Sequence, residues 1–421
     1  MRKGLMAAMA VALLGGGYLA AQAYSSERFE AELTDGLEAI EARGEVMVER
    51  RTSERGWFTS QGELVISPRL DDGWTLHLPY TARHGLASTR LSGELELLLD
   101  EQGQRLFAER LEAAPPRWSA EFETLSGAVA GRLDLAAFEA EHAGARLSMR
   151  GGHLTLDGEP GDLRLAGELA PWEVLHGKER LRVGRLSITA RYRQDEAGRQ
   201  RDQQGRLALD RLMLARKASP AIELEALSYQ GDLTLGAEEL QLGGTLALGE
   251  ARLGGEPLLS GELDFSLARI DAEAVRALEA ALDAEAARGH SVDAALDARN
   301  DAELAALLER LQPKLLALLA DSPRLTLHRL ALTSEMFAMD TRLSGELTFE
   351  GAGAESLSIA RLDRPNQQRH WLNRLDGRFD WQGVPPLVLM QLGLPMTTER
   401  LAIVVEKGRP SINGRPLLPL L

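Results

Sequence analysis

Leu259-Ser260-Gly261-Glu262-Leu263-Asp264-Phe265 is the stretch on which the fold turns. Leu259, Leu263 and Phe265 alternate with Ser260, Glu262 and Asp264, and a period of two lays the apolar side chains on one face of a strand. The phrase returns as Leu91-Ser92-Gly93-Glu94-Leu95-Glu96-Leu97, as Leu343-Ser344-Gly345-Glu346-Leu347-Thr348-Phe349, and more loosely as Leu165-Ala166-Gly167-Glu168-Leu169. Its glycine suits a bulge or the close approach of a neighbouring strand. The uneven spacing fits either an internal repeat or separate Leu/Gly/Glu strands that resemble one another.

Outward from these copies the same alternation is dense. Leu154/Leu156, Leu163/Leu165, Leu186/Ile188, Leu207/Leu209, Leu212/Leu214, Ile222/Leu224, Leu233/Leu235 and Leu246/Leu248 are interleaved with polar residues and separated by turn material such as Gly158-Glu159-Pro160-Gly161. The pattern predicts a long antiparallel meander with one apolar face. Gln194 to Gly205 carries only Ala197 as an apolar residue and reads as a solvated hairpin tip or loop. Upstream, Val46 and Val48 begin a strand, Arg50 to Arg55 read as a charged turn, and Trp57-Phe58 to Ile66 read as a second strand. A further strand from Trp74 to Leu78 is expected to stop at Pro79, with Tyr80 to Gly85 as a turn or edge.

The period changes to helical at Asp271. Val275, Leu278 and Leu282 form one apolar stripe, and Leu304, Leu307, Leu308, Leu311, Leu315 and Leu318 form another, kinked or restarted at Pro313. The plain reading is that these helices cover the sheet; the alternative is a movable flap over a lipid-sized groove. Strands resume from Leu325 to Phe349 and from Gly377 to Trp381, a short apolar helix or buried segment follows Pro385-Pro386, and the chain closes on a hairpin.

Ahead of the sheet, Arg2 and Lys3 precede an uncharged run from Gly4 to Tyr24 that includes Leu5, Val11, Leu13, Leu14 and Leu19. At ~1.5 Å per helical residue, Leu5 to Ala23 would span roughly 28 Å, close to the ~30 Å hydrocarbon core of a bilayer. The length favours a retained membrane anchor, and the leading positive charges place the N-terminus in the cytoplasm and the remaining chain across the membrane. Ala21-Gln22-Ala23 also fits a signal-peptide cleavage site, the alternative reading of the same stretch. Ser25 or Ser26 is expected to cap a short helix carrying Phe29, Leu33, Leu37 and Ile40.

A chain of 421 residues that is 44% hydrophobic and 26% charged has ample core material, and with 5% aromatics that core is aliphatic. A net charge of -15 argues against nucleic acid as a partner. With no cysteine there is no disulfide, thiolate metal site or thiol nucleophile. Phosphate loops, zinc-protease helices, serine elbows and calcium loops are all missing from the sequence, and the eight histidines stand singly. His84, at an expected turn beside Gly85, is the least implausible catalytic residue, so a hydrolase is only a minor alternative.

The N-terminal span and short helix, then Arg55-Gly56-Trp57-Phe58-Thr59-Ser60, then His84-Gly85, and the closing Ser411-Ile412-Asn413-Gly414-Arg415-Pro416 together resemble the YdgA-like proteins of Gram-negative bacteria. Gly56, Trp57, Phe58, Ser60, His84, Gly85, Asn413 and Gly414 carry the resemblance; Leu86 departs from it, where the pattern has proline. The resemblance implies an inner-membrane anchor with a periplasmic β-rich body of unknown biochemistry. More distantly, Phe265 to Ala274 is similar to the strand-to-helix transition of AsmA-like envelope proteins, which implies a bent sheet with an apolar groove and a role in lipid traffic or outer-membrane assembly.

The expected protein is therefore α+β and β-rich: a transmembrane helix (1–24), a juxtamembrane helix (25–44), a long curved, groove-like antiparallel meander (45–270), a helical insert partly covering it (271–322) and C-terminal strands closing the same body (323–421). The expected role is non-enzymatic and free of cofactors: binding or passage of lipid along the apolar face in cell-envelope maintenance, or a scaffold for envelope proteins. Expected partners are the inner membrane, a phospholipid or other amphiphile, and envelope proteins, with no nucleic acid.

Overall fold

The computed structural model describes residues 24–31, 33, 34, 37, 46–54, 56–68, 74–99, 103–142, 144–195, 197–217, 219–286, 288, 301–359, 361, 362 and 364–417. The anchor positions Arg2, Lys3, Leu5, Val11, Leu13, Leu14 and Leu19 lie outside the described residues. Among the described residues no helix is long and apolar enough to cross a membrane. The chain divides into two units, Met1–Ala170 and Pro171–Leu421, both built of antiparallel strands with few helices.

The first unit carries α1 (described at 24–31, 33, 34 and 37) and then β1 (Val46–Glu54), β2 (Thr59–Pro68), β3 (Trp74–His84), β4 (Ser88–Glu94), β5 (Glu96–Leu99), β6 (Gln104–Arg105), β7 (Arg117–Glu123), β8 (Val129–Leu135), β9 (Phe138–His142), β10 (Ala145–Met149), β11 (Gly152–Glu159) and β12 (Asp162–Leu169). β1, β2 and β3 pair in turn, and the far edge of β3 is shared end to end by β4 and β5. From β4 the ladder continues through β7, β8, β11 and β12. Its core is Phe29 of α1 against Tyr80, Ala82 and Phe122, with Leu33, Leu64, Leu91, Trp118 and Val129 around them.

Three local expectations are corrected here. β3 does not stop at Pro79 but runs through it to His84. Pro79 lies between Leu78 and Tyr80, where the partner changes from β5 to β4, so its missing N–H falls at a gap in the ladder. Tyr80 to His84 is thus a strand that supplies core residues, not a turn. Arg50 to Glu54 also belongs to β1, and the turn falls at Gly56 to Phe58. Finally, the helix already includes Tyr24, so Ser25 and Ser26 lie within it; their hydroxyls reach Thr124 Oγ1 (2.8 Å) and the Gly56 carbonyl (3.3 Å) instead of capping.

The second unit opens with β13 (Trp172–His176), β14 (Glu179–Val183), β15 (Leu186–Gln194), β16 (Arg201–Arg216), β17 (Ser219–Leu235), β18 (Glu239–Leu253) and β19 (Glu256–Asp271). After α2 (Ala272–Ala286) and α3 (Asp301–Ala317) come β20 (Arg324–Ser334), β21 (Met339–Phe349), α4 (Pro365–Leu372), β22 (Leu375–Gln382), α5 (Pro386–Gln391), β23 (Arg400–Glu406), β24 (Arg409–Ile412) and β25 (Arg415–Pro416). β14 and β15 lie end to end along one edge of β16, and from β16 each strand pairs with the next to β25. The solvated stretch expected over Gln194 to Gly205 is shorter: Arg201 to Gly205 form ladder pairs with both β15 and β17. Pairing on both edges overrides the lack of apolar residues there.

The helices pack on each other, with Leu307 and Leu311 of α3 against Leu278, Ala281 and Leu282 of α2. Asp271 Oδ1 accepts from the Ala274 N–H at 2.5 Å, the N-cap expected of an aspartate before an apolar stripe. α2 meets the strand ends, where Arg276 donates to the carbonyls of Gly236 (2.6 Å) and Arg199 (2.8 Å). Leu316 joins Phe349, Ala354 and Leu357 in a second cluster, and Val384, Leu389, Leu401 and Ile412 form a third under α5.

Candidate functional site

The most unusual surface of the second unit is built by register. Ile188 pairs with Leu207, Leu207 with Tyr229, Tyr229 with Leu246, Leu246 with Leu263, Leu263 with Leu330, Leu330 with Leu343, Leu343 with Trp381 and Trp381 with Leu401. One apolar side chain per strand therefore forms a row across β15 to β23. Leu186, Leu209, Leu227 and Leu248 flank it on one side; on the other, four residues further along β17, β18, β19 and β21 and five along β20, run Leu233, Leu242, Leu267, Leu325 and Leu347.

The two ends of the row differ in cover. Leu401 is fully buried beneath α5, whereas Ile188, Leu207, Tyr229 and Leu246 are 36%, 42%, 46% and 42% exposed. In β15 to β19 the buried hydrophobic side chains are only Leu235, Ala251 and Ile270. The expectation that the helices blanket the sheet thus fails over this part, because α2 and α3 bury their stripes against each other and the strand ends. What remains is an apolar face about four strand spacings wide, ~19 Å, and about six residue steps long from Leu227 to Leu233, roughly 20 Å.

Glycines lower the middle of that face. Gly205, Gly231 and Gly244 are consecutive partners in the ladder. A Cβ on Gly231 would stand 2.7 Å from Tyr229 Oη, and one on Gly244 would stand 2.9 Å from the Phe265 ring, so these rings lie over bare backbone. The reverse face is polar: Arg206, Gln230, Thr245, Asp264 and Arg329 pair in sequence, and Arg329 reaches Glu262 at 3.4 Å. Such exposed ion pairs contribute little stability, but they make that side the wetted one. Past Leu209, Leu227 and Leu248, pairing lapses at Asp210, Ala226 and Gly249, and the apolar positions change parity to Leu212, Leu224 and Ala251.

The resemblance-bearing positions occupy different places. Ser60 and His84 come together: His84 Nε2 is 2.8 Å from Ser60 Oγ, and its Nδ1 is 3.0 Å from Thr89 Oγ1. All three residues are buried, and the Phe29 ring packs against the imidazole at a tilt of 53°, with ring centroids 5.6 Å apart. Burial pushes the His84 pKa below its ordinary value, partly opposed by the Glu30 carboxylate. Gly56 accepts from Ser26 and Gly85 opens the β3–β4 turn, while Trp57 and Phe58 face solvent. In the second unit, Asn413 and Gly414 take the left-handed conformation (φ 49° and 76°) of a tight β24–β25 hairpin, and Asn413 Oδ1 accepts from the Ala402 N–H. No group of side chains suited to a metal ion occurs among the described residues.

Residues 1–379 match the family described as "Bacterial protein of unknown function (DUF945)". The chain belongs to that family. The match takes in Gly56, Ser60, His84 and the whole exposed part of the apolar row, but not Asn413 and Gly414. No curated protein and no solved structure matches the chain. Alternating Leu207/Leu209 and Leu246/Leu248 announce the apolar face in the sequence; Tyr229 and the glycine partners carry no such local signal, and pairing across strands identifies them.

Proposed function

We propose that this family member is a non-enzymatic, YdgA-like protein of the bacterial cell envelope, held in the inner membrane by residues 4–24 with its body in the periplasm, and that it binds a phospholipid or similar amphiphile along the β15–β19 face. The observation that carries the reading is the exposed row Ile188, Leu207, Tyr229 and Leu246. Monomeric soluble proteins rarely leave contiguous apolar patches of more than a few hundred Å² open, and such patches mark interaction or ligand sites. An extended face lined by Leu, Ile, Phe and Tyr, with the Tyr229 hydroxyl as a polar group in its exposed row, is dominated by hydrocarbon and suits a flexible acyl chain better than a compact metabolite. Burying apolar area yields about 25 cal/mol per Å², so an acyl chain laid on this face gains affinity by area alone. The AsmA-like strand-to-helix transition at Phe265 to Ala274 is consistent with the same chemistry. Binding is favoured over catalysis because His84 is buried and closed in by Ser60, Thr89 and Phe29.

The test is site-specific photocrosslinking in cells, with benzoylphenylalanine in place of Tyr229 or Leu246 and, as the control, Asp264 on the polar face. Lipid adducts at Tyr229 and Leu246 but not at Asp264 are expected. Adducts to peptide alone would replace the amphiphile reading with the envelope scaffold, and no adduct at either position would overturn both.

A further inference from the structure

A separate feature of the first unit lies where the N-terminal run meets the body. The turns β1–β2, β3–β4 and β7–β8 stand side by side: the His84 N–H donates to the Phe58 carbonyl at 2.9 Å, and the Thr124 N–H donates to the Ala87 carbonyl at 2.9 Å. The first described residues of α1 are tied to the same place through Ser25 and Thr124 (2.8 Å) and through Ser26 and the Gly56 carbonyl (3.3 Å). At the tips of these elements the side chains are Tyr24, Trp57, Phe58, Leu86 and Leu125, exposed by 55%, 59%, 50%, 49% and 86%.

The composition of the tips sets them apart. Gly56 to Gly62, Gly85 to Thr89 and Thr124 to Ala130 hold no charged residue, in a chain that is 26% charged. Three neighbouring turns that all lack charge and all expose a large apolar residue form one uncharged patch. Among the described residues two other turns of this unit differ: exposed Glu159 stands at the β11–β12 turn and exposed His142 at the end of β9.

We infer that Tyr24, Trp57, Phe58, Leu86 and Leu125 form a membrane-docking surface that inserts into the headgroup and upper acyl region of the bilayer. Trp and Tyr beside leucines and phenylalanine are the side chains that settle at a membrane–water interface. The chain also leads there. Residues 4–23 are uncharged and, apart from Gln22, without a strongly polar side chain, and the described chain begins at Tyr24, inside the cluster. Docking through uncharged tips avoids the repulsion that a net charge of -15 would meet at anionic headgroups. This surface is in the first unit and does not depend on amphiphile binding by the β15–β19 face; it rests on the anchor reading only for the direction of approach.

The chain has no cysteine, so single labels can be placed in the full-length protein. Spin labels at Leu86→Cys, Leu125→Cys, Val11→Cys and Gln104→Cys would be compared in vesicles of phosphatidylethanolamine and phosphatidylglycerol. Gln104 is exposed and lies at the Trp74 end of β3, roughly 33 Å from His84 at ~3.3 Å per residue, so it is the aqueous control. Labels at Leu86 and Leu125 should show an oxygen-to-nickel-chelate collision ratio several-fold above that of Gln104. A ratio equal to that of Gln104 overturns the inference; if Val11 remains lipid-exposed in that case, the anchor reading survives and only the docking surface falls. Labels shielded from both reagents, or broadened by a second label, would mean a protein partner or a second copy on the tips and would equally overturn it.

Discussion

Ser25 and Thr124 lie 99 residues apart in the chain and 2.8 Å apart at their hydroxyls, both closed off from solvent. The pair joins the start of α1 to the β7–β8 turn, so the helix is fastened to the strands by polar contacts as well as by Phe29. Replacing one partner by alanine leaves the other hydroxyl buried without it, at a cost of about 1–3 kcal/mol. Ser25→Ala and Thr124→Ala should each lower the urea midpoint, and the double variant should lose clearly less than the sum of the two. Strict additivity in the urea curves would mean that the two hydroxyls do not interact.

Gly93 and Gly345, the third residues of two copies of the Leu-Ser-Gly-Glu-Leu phrase, have no space for a side chain. A Cβ would stand 1.9 Å from the Pro79 carbonyl oxygen at Gly93 and 2.3 Å from that of Arg378 at Gly345. Gly93→Ala and Gly345→Ala should each destabilise by ~3 kcal/mol or more, since rigid backbone must move. Gly205→Ala is the matched control: its nearest obstacle is the Thr189 carbonyl oxygen at 4.0 Å, and a change within about 0.5 kcal/mol is expected. Thermal unfolding of the three variants separates the outcomes.

His84 makes the first unit sensitive to acid. Burial lowers its folded-state pKa below the ordinary 6.5, so between the two values the unfolded chain binds more protons and stability rises with pH. The contribution is fully present above about pH 6.5 and is lost as pH falls toward the depressed folded-state value. His84→Gln keeps hydrogen-bonding capacity without this titration. Its denaturation midpoint should depend less steeply on pH below 6.5 than that of the parent protein; parallel curves would remove His84 as the cause.

Truncation along the apolar row should reveal its uneven cover. Leu401→Ala empties a fully buried position under α5 and should cost ~2–5 kcal/mol. Leu246 sits in the same row but is 42% exposed, so Leu246→Ala should cost under ~1.5 kcal/mol in the absence of amphiphile. Equal losses in calorimetry would show that the β15–β19 face is closed in solution.

Much of the strand content was legible because alternation is local: Leu207/Leu209 and Leu246/Leu248 display a period of two within a few residues. Where local signals misled, a neighbour had intervened. Pro79 reads as a strand stop until β4 and β5 are seen to meet opposite it, and Arg201 to Gly205 read as loop until β15 and β17 pair with both edges. His84 reads as a residue at a turn until Ser60, Thr89 and Phe29 are placed around it. The helical stripes of α2 and α3 are visible as amphipathic, yet a stripe does not name its partner, and here each chose the other.

By itself the sequence determined the β-rich class, the helical break at Asp271, the absence of cysteine chemistry and the uncharged N-terminal run, all properties of composition or of residues within one or two turns of each other. Only the tertiary structure decided that Ile188, Leu207, Tyr229 and Leu246 stand in one uncovered row, and that the tips at Trp57, Leu86 and Leu125 share one surface. The physical reason is that strand register and turn-to-turn hydrogen bonds join residues distant in the chain, and periodicity within a segment carries no information about which distant segment will lie beside it.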